Sequence, residues 1–320
     1  MATPGSYATE SVTSKDGTKI DYHRLGKGAG IVMLHGTMES GQSHTQLAEA
    51  LSGAFTAYLP DRRVRSLGFP FVKDYNIQKE VEDLDALLAK TDSHNIFGVS
   101  SGGIACLQAA LLLQTIRKAA VYEPPLSLSR SYAAATLKRF DGEMAGGKVA
   151  AALITAMKGA EMGPKSMKLM PRPMSECFTN GQIQKQDKES KEGDFSMHRA
   201  AVTLHYDLLL VDDMSEMLES FRAVSADVLL LGGSESSAYL RSSLDSLEML
   251  PHVRRAEFPG LDHGGSSDLS PFNRRGEPPI GGKGTQAVLY ALKCWKTVFC
   301  GQSEECVATS ESSVGIHFHA

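Results

Sequence analysis

The segment at residues 94–113 constrains the fold of this chain more than any other. A short apolar run leads into Gly98-Val99-Ser100-Ser101-Gly102-Gly103, and an almost wholly apolar run follows. This order predicts a strand, a sharp turn and a buried helix, with Ser100 at the tip of the turn. Gly98 and Gly102 have no Cβ, which lets the chain close tightly on both sides of the serine.

Short apolar runs alternate with helical patterns along most of the chain. Residues 77–90 place apolar side chains at helical spacing with acidic ones between them, so we predict an amphipathic helix whose acids face solvent. Asp16-Gly17 between two extended runs predicts a hairpin. The alternation favours an α/β fold, a mostly parallel central sheet with helices on both faces. The predicted strands end near Leu34, Leu59, Val99, Tyr122, Leu231 and Phe258.

The pattern changes between residues 127 and 220. Strand signals vanish there, and helical stretches rich in Ala, Met and Lys replace them. We interpret 127–220 as a helical cap inserted into a core made of 1–126 and 221–300, with a polar loop at 179–194. The Ser- and Glu-rich tail, 301–320, is predicted to be disordered.

Composition bounds the partners and the compartment. The formal net charge is −4 and no basic face is evident, which disfavours a nucleic-acid partner. No apolar run is long enough to span a bilayer, and the N-terminus lacks the charged and apolar segments of a secretory signal. The five cysteines show neither zinc spacing nor a disulfide framework. We therefore expect a cytoplasmic protein without stable membrane insertion, and its oligomeric state stays open.

Five short segments stand out along the chain: His35-Gly36, Asp61-Arg62-Arg63, Gly98-Val99-Ser100-Ser101-Gly102-Gly103, Tyr122-Glu123-Pro124-Pro125 and Pro259-Gly260-Leu261-Asp262-His263-Gly264. Their order and spacing are those of the α/β-hydrolase superfamily. Over residues 18–300 the chain resembles the members that carry a single inserted cap. The resemblance implies the α/β-hydrolase fold with Ser100 as nucleophile. A serine rather than an aspartate there disfavours the epoxide-hydrolase and haloalkane-dehalogenase branches.

The resemblance also implies a triad in the order serine, acid, histidine. His263 lies in a glycine-flanked loop just after the last predicted strand, where the base of this fold emerges. The acid usually follows the strand that here ends at Leu231, and Glu235 holds that position. The other known location follows the preceding strand, where Glu123 stands before two prolines that rigidify the chain. We favour Glu123, with Glu235 as the alternative acid.

Stabilisation of an oxyanion requires two N–H groups aimed at one point. In this family the residue after the nucleophile, here Ser101, supplies one of them. The other is expected from the loop after the first buried strand, where Thr37 is the best candidate and Met38 the next. His35 opens that loop and is expected to orient it rather than to act as the base.

These residues together predict a serine hydrolase that forms an acyl-enzyme on Ser100. The expected substrate is a small to medium apolar carboxylic ester, lactone or thioester, because the cap would enclose a largely apolar pocket. No cofactor and no metal are implied. The alternative is a non-hydrolytic protein of the same fold, such as a lyase, a cofactor-free oxygenase or a ligand-binding module, because fold alone does not determine function.

Overall fold

The structure, a computed structural model, describes residues 8–63, 74–126, 129–162, 169–189, 197–266 and 317–319. Nine strands in this part of the chain form one sheet. In chain order they are Ala8–Thr13 (β1), Lys19–Gly26 (β2), Ala29–Leu34 (β3), Phe55–Pro60 (β4), Asn95–Val99 (β5), Lys118–Tyr122 (β6), Asp227–Gly233 (β7), Val253–Phe258 (β8) and His317–His319 (β9).

The strand order across the sheet is β1-β2-β4-β3-β5-β6-β7-β8-β9. The series from β4 to β8 pairs in parallel, whereas β1, β2 and β9 run antiparallel to their neighbours. The predicted hairpin is confirmed, and Gly17 in its turn has a φ of 87°. The chain reverses its direction of travel across the sheet between β3 and β5. Ligands of open α/β sheets bind at such a switch point, beyond the carboxyl ends of the strands.

Helices cover both faces of the sheet. Ile31 and Met33 pack into the apolar cluster on one face, and Val32 and Leu34 pack into the cluster on the other, since successive residues of a strand point to opposite sides. Burial on both faces explains why the sequence of β3 is a continuous apolar run. The α-helices within the described residues are Thr45–Leu51 (α1), Ile77–Thr91 (α2), Ser101–Leu112 (α3), Arg130–Ala145 (α4), Val149–Gly159 (α5), Arg172–Glu189 (α6), Met197–Asp213 (α7) and Ala238–Leu247 (α8).

The described helices α4 to α7 lie between β6 and β7 and form an apolar cluster of their own, which includes Phe140, Leu153 and Leu204. Met38, from the loop after β3, packs against this cluster. The segment predicted to be a cap therefore reaches the carboxyl edge of the sheet.

The polar loop predicted at 179–194 is wrong as far as Glu189, because α6 continues to that residue. Gln, Lys and Glu are good helix formers, and buried Ile183 anchors this stretch in the apolar cluster formed by helices α4 to α7. Asn180-Gly181, which suggested a turn, lies inside the helix.

The chain's C-terminal part is described only in β9, which pairs with β8 at the edge of the sheet. The predicted disordered tail thus contains a three-residue strand. The rest of that tail and the predicted core residues 267–300 lie outside the described residues. Among the described helices, none has both the length and the apolar character needed to cross a bilayer.

Candidate active site

Ser100 occupies the sharp turn between β5 and α3, at the carboxyl edge of the sheet. Its φ of 53° and ψ of −122° lie in a region that costs a non-glycine residue about 1–3 kcal/mol. Ser100 N–H donates to the Tyr122 carbonyl oxygen at 2.9 Å, and Ile104 N–H donates to the Ser100 carbonyl oxygen at 3.1 Å. The Ser100 side chain makes no capping hydrogen bond to α3, so helix capping does not occupy its hydroxyl.

Two glycines make this turn possible. A Cβ on Gly98 would lie 2.5 Å from the Gly102 carbonyl oxygen and 2.7 Å from Cys106 Sγ. A Cβ on Gly102 would lie 2.5 Å from the His35 carbonyl oxygen and 2.7 Å from that of Leu34. The nucleophile turn therefore packs directly on the end of β3, which starts the predicted oxyanion loop.

Gly102→Ala is expected to lower the free energy of unfolding by roughly 1–3 kcal/mol, the usual cost of overpacking. The new methyl group would meet backbone oxygens, which cannot turn aside as the tip of a flexible side chain can. Gly53→Ala is the matched control, because a Cβ there meets nothing within 4 Å. Urea unfolding of both variants checks this, and equal midpoints for Gly102→Ala and wild type would contradict it.

Glu123 follows β6 and is fully buried. Its φ of 48° places it in the left-handed region, so the backbone turns immediately after the strand. Its Oε1 accepts hydrogen bonds from Gly233 N–H at 2.7 Å and from the Ser236 hydroxyl at 2.5 Å. Its Oε2 lies 2.7 Å from His263 Nδ1. The carboxylate is thus held at both oxygens.

His263 begins the short 3-10 helix His263–Ser266 beyond β8, and its side chain is 15% exposed. Burial lowers the pKa of the imidazole, but the hydrogen bond and charge of Glu123 outweigh burial, and Glu39 and Asp262 act in the same direction. The pKa of His263 is therefore raised above its ordinary value. The Tyr122 hydroxyl donates to the Asp262 carbonyl oxygen at 2.8 Å and so helps to hold this loop.

Glu235, the alternative acid, is exposed and lies in the loop after β7. That loop contributes donors to Glu123 instead of an acid, through Gly233 N–H and the Ser236 hydroxyl. A Cβ on Gly232 would lie 3.2 Å from Glu123 Oε1, so the absence of a side chain there makes room for the carboxylate. The structure brings Glu123, and not Glu235, to His263.

The loop after β3 faces the nucleophile. Thr37 Oγ1 lies 3.3 Å from Ser101 Oγ, so the two residues predicted to supply oxyanion donors are in contact.

Met38 has a φ of 59°, and Glu39 Oε2 accepts a hydrogen bond from Gly36 N–H at 2.8 Å. A Cβ on Gly36 would lie 3.2 Å from Glu39 Oε2 and 3.3 Å from Ser100 Cβ. Glu39 is therefore a second carboxylate close to the nucleophile, which sequence reasoning did not single out.

Arg62 was also missed as a site residue, although it stands in the quoted Asp61-Arg62-Arg63 segment. It is 2% exposed, and its Nε and Nη2 donate to the two carboxylate oxygens of Glu80 at 3.0 and 3.1 Å. The prediction that the acids of α2 face solvent is wrong for Glu80 and Asp83, which are buried. Their burial follows from their partners, Arg62 and Arg63, which offer charge-assisted hydrogen bonds inside the protein.

No group of three or more His, Cys, Asp or Glu side chains placed to hold a metal ion occurs in the described part of the chain. The polar groups gathered at this edge of the sheet are the Ser100 hydroxyl on its strained turn, the hydrogen-bonded pair of His263 and Glu123, and the loop after β3. Groups of these kinds are the ones that acyl transfer can use.

Comparison with known proteins supports the assignment of the fold. The sequence profile described as "Alpha/beta hydrolase family" matches residues 31–274, which is more than half of the chain. The chain belongs to this family. The profile match begins in β3 and extends past His263, so it includes the turn at Ser100, Glu123 and the loop of His263.

Solved structures of other members are similar in fold. An alpha/beta hydrolase from Sphaerobacter thermophilus is 24% identical with a TM-score of 0.67, covering 90% of this chain and 100% of that one. A thermophilic esterase from Thermogutta terrifontis is 14% identical with a TM-score of 0.62, covering 91% and 98%. A suspected non-heme bromoperoxidase from Mycobacterium tuberculosis is 13% identical with a TM-score of 0.60, covering 92% and 98%. At these identities the likeness concerns the fold alone.

Proposed function

We propose that this family member is a serine hydrolase of carboxylic esters, a class in which we include lactones and thioesters. The observation that carries the proposal is the 2.7 Å hydrogen bond between His263 Nδ1 and buried Glu123 Oε2. Glu123 directly follows Tyr122, whose carbonyl oxygen accepts the hydrogen bond of Ser100 N–H. Base, acid and nucleophile therefore converge on one edge of the sheet, as acyl transfer requires.

The first half-reaction acylates Ser100. Its hydroxyl oxygen attacks the carbonyl carbon while the hydroxyl proton passes to His263 Nε2, and the carbonyl π electrons move to oxygen. The N–H groups of Thr37 and Ser101 bind that oxyanion. When the tetrahedral intermediate collapses, the bond to the leaving oxygen or sulfur breaks. His263 donates its proton to the leaving group, and Ser100 remains as an ester.

The second half-reaction repeats these steps with water. His263 accepts a proton from water as it attacks the acyl carbon, the same two N–H groups bind the oxyanion, and the Ser100–acyl bond breaks with the proton returned to Ser100. Glu123 keeps the imidazole in the tautomer with hydrogen on Nδ1 and stabilises the imidazolium formed in each step. Met38 lies in the loop after β3 and packs against the apolar cluster of helices α4 to α7. This apolar surface favours a substrate with an apolar acyl group.

A fluorophosphonate probe and a short-chain p-nitrophenyl ester test the proposal. We expect covalent labelling at Ser100, found by peptide mass analysis, together with turnover of the ester. A wild-type protein that is neither labelled nor active on aryl esters, lactones and acyl thioesters would contradict the proposal. That result would favour a lyase, an oxygenase or a ligand-binding role on the same fold.

The pH profile of kcat/KM is expected to rise as His263 loses its proton, because only the neutral imidazole can act as base. The pKa of His263 is raised, so the midpoint of the profile should lie above 6.5, the ordinary pKa of a histidine.

Glu39→Gln removes a negative charge that favours the imidazolium, and the midpoint should move to lower pH. Glu219→Gln, a change on an exposed side chain, is the control. Identical midpoints for wild type and Glu39→Gln would refute this electrostatic role.

A further inference from the structure

The guanidinium of Arg62 lies where the core, the nucleophile helix and the cap meet. Nε and Nη2 each donate to Glu80, whereas Nη1 donates to Ser101, the residue that follows Ser100. Three acceptors surround Nη1: Ser101 Oγ at 2.9 Å, the His35 carbonyl oxygen at 3.2 Å and Asp207 Oδ1 at 3.3 Å. Because Nη1 carries two hydrogens, the three acceptors share two donors.

Two of these acceptors belong to the residues that flank the predicted oxyanion site. Ser101 follows the nucleophile, and its hydroxyl also lies 3.3 Å from Thr37 Oγ1. His35 begins the loop that carries Thr37, and its Nε2 accepts a second hydrogen bond, from Arg62 N–H at 3.2 Å. Arg62 therefore holds the loop after β3 and the start of α3 at a defined separation.

The third acceptor belongs to the cap, since Asp207 lies on α7. The neighbouring Tyr206 packs edge-on against Tyr75, with ring centroids 4.8 Å apart, and the Tyr75 hydroxyl donates to Glu80. Helix α7 thus meets the Arg62–Glu80 pair at two points. Both points are buried, where charge-assisted hydrogen bonds are strong and a missing partner is costly.

We propose that Arg62 is a positioning residue that makes the placement of the oxyanion donors depend on the docking of cap helix α7. When Asp207 engages Nη1, the remaining hydrogen-bonding capacity of that nitrogen is divided between Ser101 and His35 in one fixed way. Without Asp207, the hydrogen bonds of Nη1 are shared differently between Ser101 and His35. The N–H groups of Thr37 and Ser101 then no longer point to the same position. This inference rests on the proposed hydrolase function, because it concerns the oxyanion donors.

Substitutions of the two partners test the link. Replacing Arg62 itself would leave buried Glu80 and Asp207 without their cation, a change that can prevent folding. Asp207→Asn keeps the side-chain shape and removes the charge, and Ser101→Ala keeps the backbone N–H and removes the acceptor. Each should lower kcat roughly 10- to 100-fold with KM little changed, because misplaced donors weaken binding of the transition state more than that of the substrate.

Asp83→Asn is the matched control. Asp83 is buried and pairs with the neighbouring Arg63, at 2.7 Å to Nε, but Arg63 is bonded to Asp16 and Thr18 rather than to the oxyanion residues. It should lower the melting temperature while kcat stays at the wild-type level. The Asp207→Asn/Ser101→Ala double variant should lose less than the product of the single losses, because both changes break one link.

Hydrogen exchange gives a readout that does not depend on turnover. The amides of residues 35–38 should exchange faster in Asp207→Asn than in wild type, and should be unchanged in Asp83→Asn. Wild-type exchange together with wild-type kcat in Asp207→Asn would overturn the coupling. Faster exchange in a protein that hydrolyses no ester would support the link from cap to loop and contradict the proposed function alone.

Discussion

Ser100→Ala should abolish ester turnover, with kcat lowered on the order of 10⁶-fold, the loss found when the nucleophile of a serine triad is removed. The variant lacks the oxygen that forms the acyl-enzyme, and no other group can take its place at the tip of the turn. Folding should be little affected, because the Ser100 side chain makes no capping hydrogen bond to α3 and both residues carry the same Cβ.

The adjacent serines provide the comparison for this experiment. Ser101→Ala removes the neighbouring hydroxyl and is expected to cost far less, and fluorophosphonate labelling should persist in it. Thermal unfolding of both variants separates chemistry from stability. Labelling that survives in Ser100→Ala, or is lost only in Ser101→Ala, would show that the nucleophile has been misassigned.

Glu123→Gln should lower kcat about 10⁴-fold, the size of effect seen when the acid of a triad becomes an amide. The glutamine fits the same space, and its carbonyl oxygen can still accept from Gly233 N–H and the Ser236 hydroxyl. Its NH₂ group would then face His263 Nδ1. A donor at that position favours the tautomer with hydrogen on Nε2, which cannot accept the proton of Ser100.

Glu235→Gln is the control for the acid. This exposed carboxylate occupies the usual family position for the acid. Its substitution should nevertheless leave kcat within about twofold of wild type, because surface substitutions change local energies little. Steady-state kinetics on one p-nitrophenyl ester settles the matter. Loss of activity in Glu235→Gln with retention in Glu123→Gln would reverse the assignment.

The central sheet could be predicted because its strands are buried on both faces. Such strands have short apolar sequences whatever their partners are, and these sequences predict β3, β5 and β7. The helix α6 was not, because its polar exposed face resembles a loop. Only the burial of Ile183 against helices α4, α5 and α7 shows why it folds.

For the site residues, too, some features follow from local sequence patterns and others only from packing. Local sequence was sufficient to predict the sharp turn at Ser100, since the glycines that admit it lie within two residues. The order of the segments was sufficient to propose His263 as the base. The acid was left open because Glu123 and Glu235 both follow strands, and a sequence does not show which carboxylate is buried. Packing decided the geometry: Gly232, which has no side chain, leaves room for the Glu123 carboxylate, and Gly233 N–H donates to it.

The sequence by itself determined the α/β-hydrolase fold and the sharp turn that carries Ser100, because both follow from local patterns of apolar residues and glycines. Only the tertiary structure decided which side chains meet across distant parts of the chain. Glu123 reaches His263 across 140 residues, and Arg62 reaches Asp207 across 145. Buried charges are stable only with partners, and those partners are chosen by the packing of the whole chain.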